Sequence, residues 1–563
     1  MRPAVAEAPP RPMPALLLAE GHGWRRAAHG GTEVWLAGYA VGASAETIAA
    51  EAAGWRGLED GVALRRWLLG LDGHFALVIA GADWTLAAVD RVRSIPVAFA
   101  RAGDGWVIGA NAAEVRPRAG LGPADIRPEA ALALAMAGYT IGSDTLHRGL
   151  EQLGPGEAAL FRAADGPVHR FSYHAWRPWL AEPANRQRLE QELRETTLAI
   201  LEKQVATLGG RPIAVPLSAG YDSRAIASGL RHLGVRDVLC FSYGQAGGHE
   251  AETARQVAER LGYRWRFTPT GPGRQGRYFA STLWADYRRF SDDDTAIPFV
   301  QDMAAILDLR EAGYLPADCV FMNGNSGDFI SGMHIPPALR TPPRGLDAAA
   351  RRSRVVAALA AKHFALWQHL CTPANLAAIG DRLWASIEAA GGGLGAPEGD
   401  HGLYERSEFQ DRQAKYVIKG QRTYEFLGHD WRLPLWDNAC LAFWEKVPLA
   451  EKAEQALYAR MLRNANWGGV WTDLPVNRRR IRPRWVIPLR LAAKALHAPL
   501  GRDRWHRFER RVFGYWMEPL GTAAIVPYAR ILRDRRGARN AIAWIAEAHL
   551  AEAGVVLDAL AGE

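Results

Sequence analysis

Cysteine is scarce in this chain: 563 residues include only Cys240, Cys319, Cys371 and Cys440. They are far apart, with no Cys-x-x-Cys pair and no neighbouring histidine cluster, which excludes a disulfide framework and a zinc site of ordinary spacing. Reduced thiols of this kind suit a cytoplasmic protein. Long apolar runs are missing as well, so no membrane-spanning segment is expected. Met1 to Pro14 is rich in Ala and Pro and lacks the apolar core of a secretory signal. Nor is one charge in large excess, since 68 Lys and Arg against 60 Asp and Glu leave +8, which by itself names no partner. What is present, 48% hydrophobic and 23% charged residues, is ordinary for a soluble globular protein. The length exceeds what one hydrophobic core serves, so two or more domains are expected.

Chemistry concentrates in Ile213 to Leu230, which reads Ile-Ala-Val-Pro-Leu-Ser-Ala-Gly-Tyr-Asp-Ser-Arg-Ala-Ile-Ala-Ser-Gly-Leu. The apolar run ending at Leu217 predicts a buried strand, and Ala225 to Leu230 the packed face of a helix. Between them, Ser218 to Ser223 form a tight turn of small residues. There the main chain can approach a ligand closely, and the free N–H groups of the new helix favour a polyphosphate. Asp222 beside a phosphate makes electrostatic sense when a divalent cation stands between the two negative groups. An ordinary capped strand-to-helix turn is the plainer alternative. No Gly-Lys-Ser/Thr follows, which excludes a Walker loop.

This stretch resembles the Ser-Gly-Gly-x-Asp-Ser pyrophosphate loop of the ATP pyrophosphatases, and its surroundings are most similar to the asparagine synthetase family. Ala219 replaces the first glycine. Three further segments carry the resemblance in family order. Asp237 to Tyr243 and Glu250 to Leu261 look like the family's adenine-binding strand and helix. Asn323-Gly324-Asn325-Ser326-Gly327-Asp328 resembles Gly-Glu-Gly-x-Asp, with Phe329 where the family has Glu. Asp430-Trp431-Arg432-Leu433-Pro434 resembles Glu-x-Arg-x-Pro. The resemblance implies a doubly wound parallel sheet of the ATP-pyrophosphatase type over residues 186–480. It implies ATP and Mg²⁺ as cofactors, with Ser218, Gly220, Asp222 and Ser223 on pyrophosphate and Leu217, Tyr243, Asn323 and Gly324 lining the nucleotide. Asp222 and Asp328 would hold the metal, and Asp430, Lys452 and Arg463 are the candidate catalytic groups, with Arg460 a further cation. The implied reaction is ATP-dependent amide formation: a small-molecule carboxylate becomes an acyl-adenylate with release of pyrophosphate, and an amine or ammonia displaces AMP. Phe329 argues against the family's usual amino-acid substrate. β-Lactam synthetase-like or lasso cyclase-like tailoring chemistry and a non-catalytic nucleotide-binding scaffold are the alternatives.

Residues 14–180 read as a strand-rich domain, with strands expected at Ala15 to Ala19, Glu33 to Val41, Phe75 to Ala80, Thr85 to Val89, Pro96 to Ala100 and Trp106 to Gly109. Helices are expected at Ala45 to Trp55, Val62 to Leu69 and Pro128 to Ala137. Leu71-Asp72-Gly73-His74-Phe75-Ala76 and Asp90-Arg91-Val92-Arg93-Ser94-Ile95-Pro96 are similar to segments of the family's glutaminase domain, which implies an antiparallel α+β sandwich of the Ntn-hydrolase type. Active glutaminases of the family use an amino-terminal cysteine. Here residue 2 is Arg and the first hydroxyl-bearing residue is Thr32, so this half is expected to be inactive.

Residues 481–563 are expected to be a basic helical region, preceded and opened by Arg478, Arg479, Arg480, Arg482 and Arg484. Trp485 to Tyr515 mixes Trp, Arg, Leu and Phe at helical spacing, the pattern of a solvated Arg-rich face over an apolar stripe or of a helix that meets a membrane surface or a protein. Nothing in it resembles a nucleic-acid fold, and no nucleic-acid partner is expected. A homodimer is the candidate assembly.

Overall fold

Hairpin turn chemistry and alternating apolar residues build the strands of the first third of the chain, as defined in a computed structural model that describes residues 13–55, 61–162, 166–183, 185–395, 399–476 and 481–561. Arg478, Arg479, Arg480 and most of Met1 to Pro14 lie outside the described residues. The strands of this part are β1 (Ala15–Leu17), β2 (Trp24–His29), β3 (Thr32–Ala40), β4 (Gly73–Ala80), β5 (Thr85–Val89), β6 (Ala98–Ala102), β7 (Gly105–Gly109), β8 (Leu150–Gln152), β9 (Glu157–Phe161) and β10 (His169–Ser172). They form a six-stranded antiparallel sheet, β10-β9-β5-β4-β3-β2, and a four-stranded sheet, β1-β7-β6-β8. In the second sheet β1 runs parallel to β7. Phe99 of β6 meets Phe161 of β9 edge-on at 5.4 Å, so the sheets face each other. Helices Ala45–Ala52 and Val62–Gly70 cover the outer face of the larger sheet through Ile48, Ala49, Leu64 and Leu68. Asp90 of the Asp-Arg segment is a structural clamp, its carboxylate accepting the N–H groups of Phe75 (2.9 Å) and Val92 (2.8 Å).

The chain divides into two compact units, Met1–Asp125 with His147–Ala175 and Ile126–Leu146 with Trp176–Glu563. Helix Pro128–Ala137 thus belongs to the second unit and not to a continuous 14–180 domain. Its residues from Ala130 to Ala137 are all buried, and an apolar girdle of this kind needs packing on every side. The C-terminal helix Ala541–Glu552 packs in the same core, where Trp544 and Leu550 join Leu134 and Met136, so the far end of residues 481–563 is part of this unit. Among the described residues no helix is long and apolar enough to cross a membrane.

The second unit is organised on five parallel strands, β11 (Ile213–Pro216), β12 (Val238–Gly244), β13 (Arg264–Pro269), β14 (Val320–Met322) and β15 (Trp431–Arg432), in the order β13-β12-β11-β14-β15. The order reverses between β11 and β14, so the connections leaving these neighbours diverge and open a crevice at their C-terminal ends. Between the strands lie further helices, Pro272–Phe279 and Thr282–Phe290 after β13 and Ala348–His363 after β14.

Candidate active site

The turn after β11 is shaped by its own hydroxyls. Ser223 Oγ accepts the N–H of Ser218 (2.9 Å) and lies 3.0 Å from Ser218 Oγ, which in turn accepts the N–H of Gly220 (3.1 Å). Arg224 locks the turn from behind, its buried guanidinium donating to the carbonyls of Ala219, Val470, Leu474 and Pro475. Burial lowers its pKa to about 10. Asp222 opens helix Asp222–His232 and points to the loop that leaves β14, where the Asp328 N–H donates to Asp222 Oδ2 (3.0 Å). Two glycines permit this approach. A Cβ at Gly324 would meet Ser223 N at 2.7 Å, and one at Gly327 would meet Asp222 Oδ1 at 2.4 Å.

A cavity of about 330 Å³ opens at this switch point, and Ser218, Gly220, Asp222, Gly324 and Asp328 all line it. Five residues named from the sequence therefore share one wall, and Ser223 sits directly behind them. The electrostatics are unusual. Asp222 Oδ1 is buried without a hydrogen-bond partner, and burial and then the charge of Asp328 push its carboxyl well above the ordinary range. Burial would raise Asp328 too, but the hydrogen bond and charge of His334 hold it below its usual value. This donor set fits a hard divalent cation, because Mg²⁺ is commonly held by one or two carboxylates with phosphate oxygens completing its shell.

The remaining wall comes from residues that sequence reasoning passed over. His334, Arg412, Tyr416 and Gln455 line the cavity. His334 Nε2 lies 3.2 Å from Asp328 Oδ2, and its Nδ1 meets Glu408. Glu408 is buried at a cationic junction, 3.0 Å from His363 Nε2, 3.5 Å from Arg412 and 3.6 Å from Lys362. Burial disfavours its charge, yet His363 and His334 hold it well below the carboxylate range. Arg412 and Tyr416 reach the cavity from a π-helical stretch, Phe409–Val417, that continues helix Asp400–Glu408. π-Helical turns recur at functional sites because they re-aim side chains. Tyr458, whose ring centroid lies 6.2 Å from that of Tyr221, has a buried hydroxyl without a hydrogen-bond partner.

Other expected site residues lie elsewhere. Asp430 precedes β15, at the N-terminal edge of the sheet, and pairs with Arg211 at 2.7 Å. The crevice of a parallel sheet is at the opposite edge, so Asp430 is not part of this cavity. Lys452 is buried 2.8 Å from Glu405 and over the Trp176 ring, which makes it a packing cation. Arg463 is exposed in the last turn of helix Ala456–Ala465, about 12 Å along the axis from Gln455 at its start. Arg460 is tied to Glu190 and Glu451. Leu217 has both main-chain groups engaged within the sheet, its N–H by Phe241 O and its carbonyl by Ser242 Oγ. Tyr243 and Tyr424 both donate to Asp302, and Asn323 donates to the Tyr424 hydroxyl (2.7 Å), so Tyr243 and Asn323 brace the crevice without lining this cavity. Phe329 is fully buried among Trp176, Trp436 and His334.

Residues 192–468 match the family model described as asparagine synthase. No curated protein matches the chain. Two solved structures are similar in part. One is the allosteric regulatory enzyme of purine biosynthesis, at 14% identity over 43% of this chain and 61% of that one, with a TM-score of 0.18. The other is the glutamine phosphoribosylpyrophosphate amidotransferase from B. subtilis complexed with ADP and GMP, at 12% identity over 43% and 72%, also with a TM-score of 0.18. The chain thus spans less than two thirds of the first structure, and at these scores neither likeness bears on the fold.

Proposed function

We propose, on the premise that residues 192–468 match the asparagine synthase family model, that the protein activates a small-molecule carboxylate with ATP and joins it to ammonia or another amine. One carboxylate oxygen attacks the α-phosphorus, the bond to the bridging oxygen breaks, and pyrophosphate leaves. The amine nitrogen then attacks the acyl carbon, loses a proton, and AMP departs with the C–O electron pair. The observation that carries this reading is the convergence of Asp222 and Asp328 on one cavity at the sheet's switch point. In it, the Ser218–Ser223 turn cradles the leaving pyrophosphate with main-chain N–H groups and hydroxyls. Arg412 supplies the cation against charge that builds there, the part first given to Lys452 and Arg463. Asp222 and Asp328 would hold Mg²⁺, which when bound neutralises the phosphate oxygens.

Two features refine the substrates. The side chain at Phe329 is enclosed in aromatic packing and offers no charge to an amino-acid substrate, which favours a tailoring activity on some other carboxylate. Residues 1–239 contain no cysteine, and Cys240 is buried within β12, so these residues offer no thiolate to release ammonia from glutamine. Free ammonium or an amine is the nitrogen source in this reading.

The test is Asp222→Asn, assayed for AMP and pyrophosphate with Mg²⁺, ATP, ammonium and a panel of carboxylates. AMP release by the parent and its loss in the variant are expected. Equal AMP release by both would refute the assignment. Nucleotide binding without AMP across the panel would support a non-catalytic scaffold, and glutamate production from glutamine would refute the proposed nitrogen source.

A further inference from the structure

Helix Val486–His497 is apolar on nearly every side, yet only one face is covered. Val486 and Ala493 pack with Trp505, Phe508 and Phe513, and Arg490 on that face pairs with Glu509. Away from it, Leu489, Leu491 and Leu496 are 55%, 57% and 78% exposed. Trp485, just before the helix, is exposed as well. Isolated apolar side chains are normal on a protein surface, but Leu489 and Leu496, two turns apart on the same face of one short helix, mark a contact site.

The C-terminal end of this helix runs into a cavity of about 630 Å³, which His497 and the exposed Leu500 help to line. Its cationic lining includes Arg504, Arg507, Arg511 and Arg535, none of which forms an ion pair among the described residues. Two carboxylates also line it. Asp534 is held by Arg536 at 2.7 Å, and Glu518 accepts the Leu520 N–H (3.2 Å). The cavity's apolar lining includes Phe508 and Trp544.

We propose that helix Val486–His497 and the arginine-rich cavity beside it dock the protein on an anionic lipid bilayer. The exposed leucines enter the interfacial zone, and lipid headgroup oxygens sit among Arg504, Arg507, Arg511 and Arg535, whose guanidinium forks match phosphate and carboxylate geometry. Charge selects this occupant. A second copy of the same surface would press two arginine clusters together, and a nucleic acid or soluble anion would leave the leucines in water. An anionic bilayer satisfies both halves of the surface.

Co-sedimentation of the full chain with vesicles tests this, using phosphatidylcholine alone or mixed with phosphatidylserine. Pelleting with the mixed vesicles, little with the neutral ones, and weakening by salt are expected. The double variants Leu489→Ser/Leu496→Ser and Arg504→Glu/Arg507→Glu should each lose affinity for mixed vesicles by about tenfold. Unchanged melting temperatures would confirm that both variants fold. Equal pelleting with the two vesicle types, or parental pelleting by either double variant, would overturn the proposal. Retention on heparin without vesicle binding would also overturn it, in favour of a soluble polyanionic partner.

Discussion

The closeness of Gly327 to Asp222 makes the site open to a one-carbon test. In Gly327→Ala the new methyl carbon would stand 2.4 Å from Asp222 Oδ1, 2.6 Å from its Cγ and 2.6 Å from Leu435 Cδ1. These separations are about 1 Å inside van der Waals contact, so the carboxylate or the loop must move by roughly that distance. Overpacking of this size costs about 1–3 kcal/mol of stability. Displacing a substrate-positioning group by 1 Å costs about 10²-fold in turnover. Gly327 opens a short helix and has no positive φ, so the effect comes from the clash and not from backbone strain. Gly273→Ala is the matched control, because a Cβ there meets nothing within 4 Å and the position lies inside helix Pro272–Phe279. The control should gain up to about 1 kcal/mol from helix propensity. Calorimetry with Mg·ATP requires no knowledge of the carboxylate and should show at least about a tenfold loss of affinity in Gly327→Ala, with AMP release falling further. Parental affinity and turnover in that variant would refute the placement of the nucleotide phosphates beside Asp222.

Arg412→Gln should lower AMP release by about 10²–10³-fold through loss of the cavity's cation, with a smaller change in KM. An unchanged kcat would remove Arg412 from the reaction. Burial raises the Glu405 carboxyl to about 7, against an ordinary value of 4.5, although Lys452 pulls the other way. The stability it contributes is therefore fully present below the unfolded value and is lost as pH rises through about 7, by an amount on the order of 3 kcal/mol. Urea titrations from about pH 4.5 to about pH 8 should show this fall in the parent and a flatter profile in Glu405→Gln, whatever that variant's absolute stability. An identical pH slope in the two proteins would show that another group governs it.

Local signals were sufficient for much of the architecture. Thr85–Val89 and Pro128–Ala137 begin and end where periodicity and turn residues place them, and β11 with its small-residue turn follows from an apolar run meeting Ser218 to Ser223. Asp222 and Asp328 were legible because each sits in a short stretch whose glycines and hydroxyls have one economical use, close approach to a ligand or to each other. The short edge strands were less so, because β2 alternates poorly and β8 and β10 have only three and four residues.

What the sequence determined by itself was the parts: the small-residue turn after β11, the acidic loop after a buried strand and the apolar girdle of Pro128–Ala137. Only the tertiary structure decided the company each part keeps. Asp430 matches a motif yet lies at the wrong edge of the sheet, because a two-residue strand carries its preceding residue to one edge and its following residue to the other. His334, Glu408 and Arg412 have no telling neighbours in sequence, and they converge because a π-helical stretch and a loop from a distant part of the chain are packed against the same carboxylate. Hydrogen bonds and apolar periodicity act over a few residues and can be read from them. The meeting of charges across dozens or hundreds of residues depends on how the folded layers stack, and no local pattern records it.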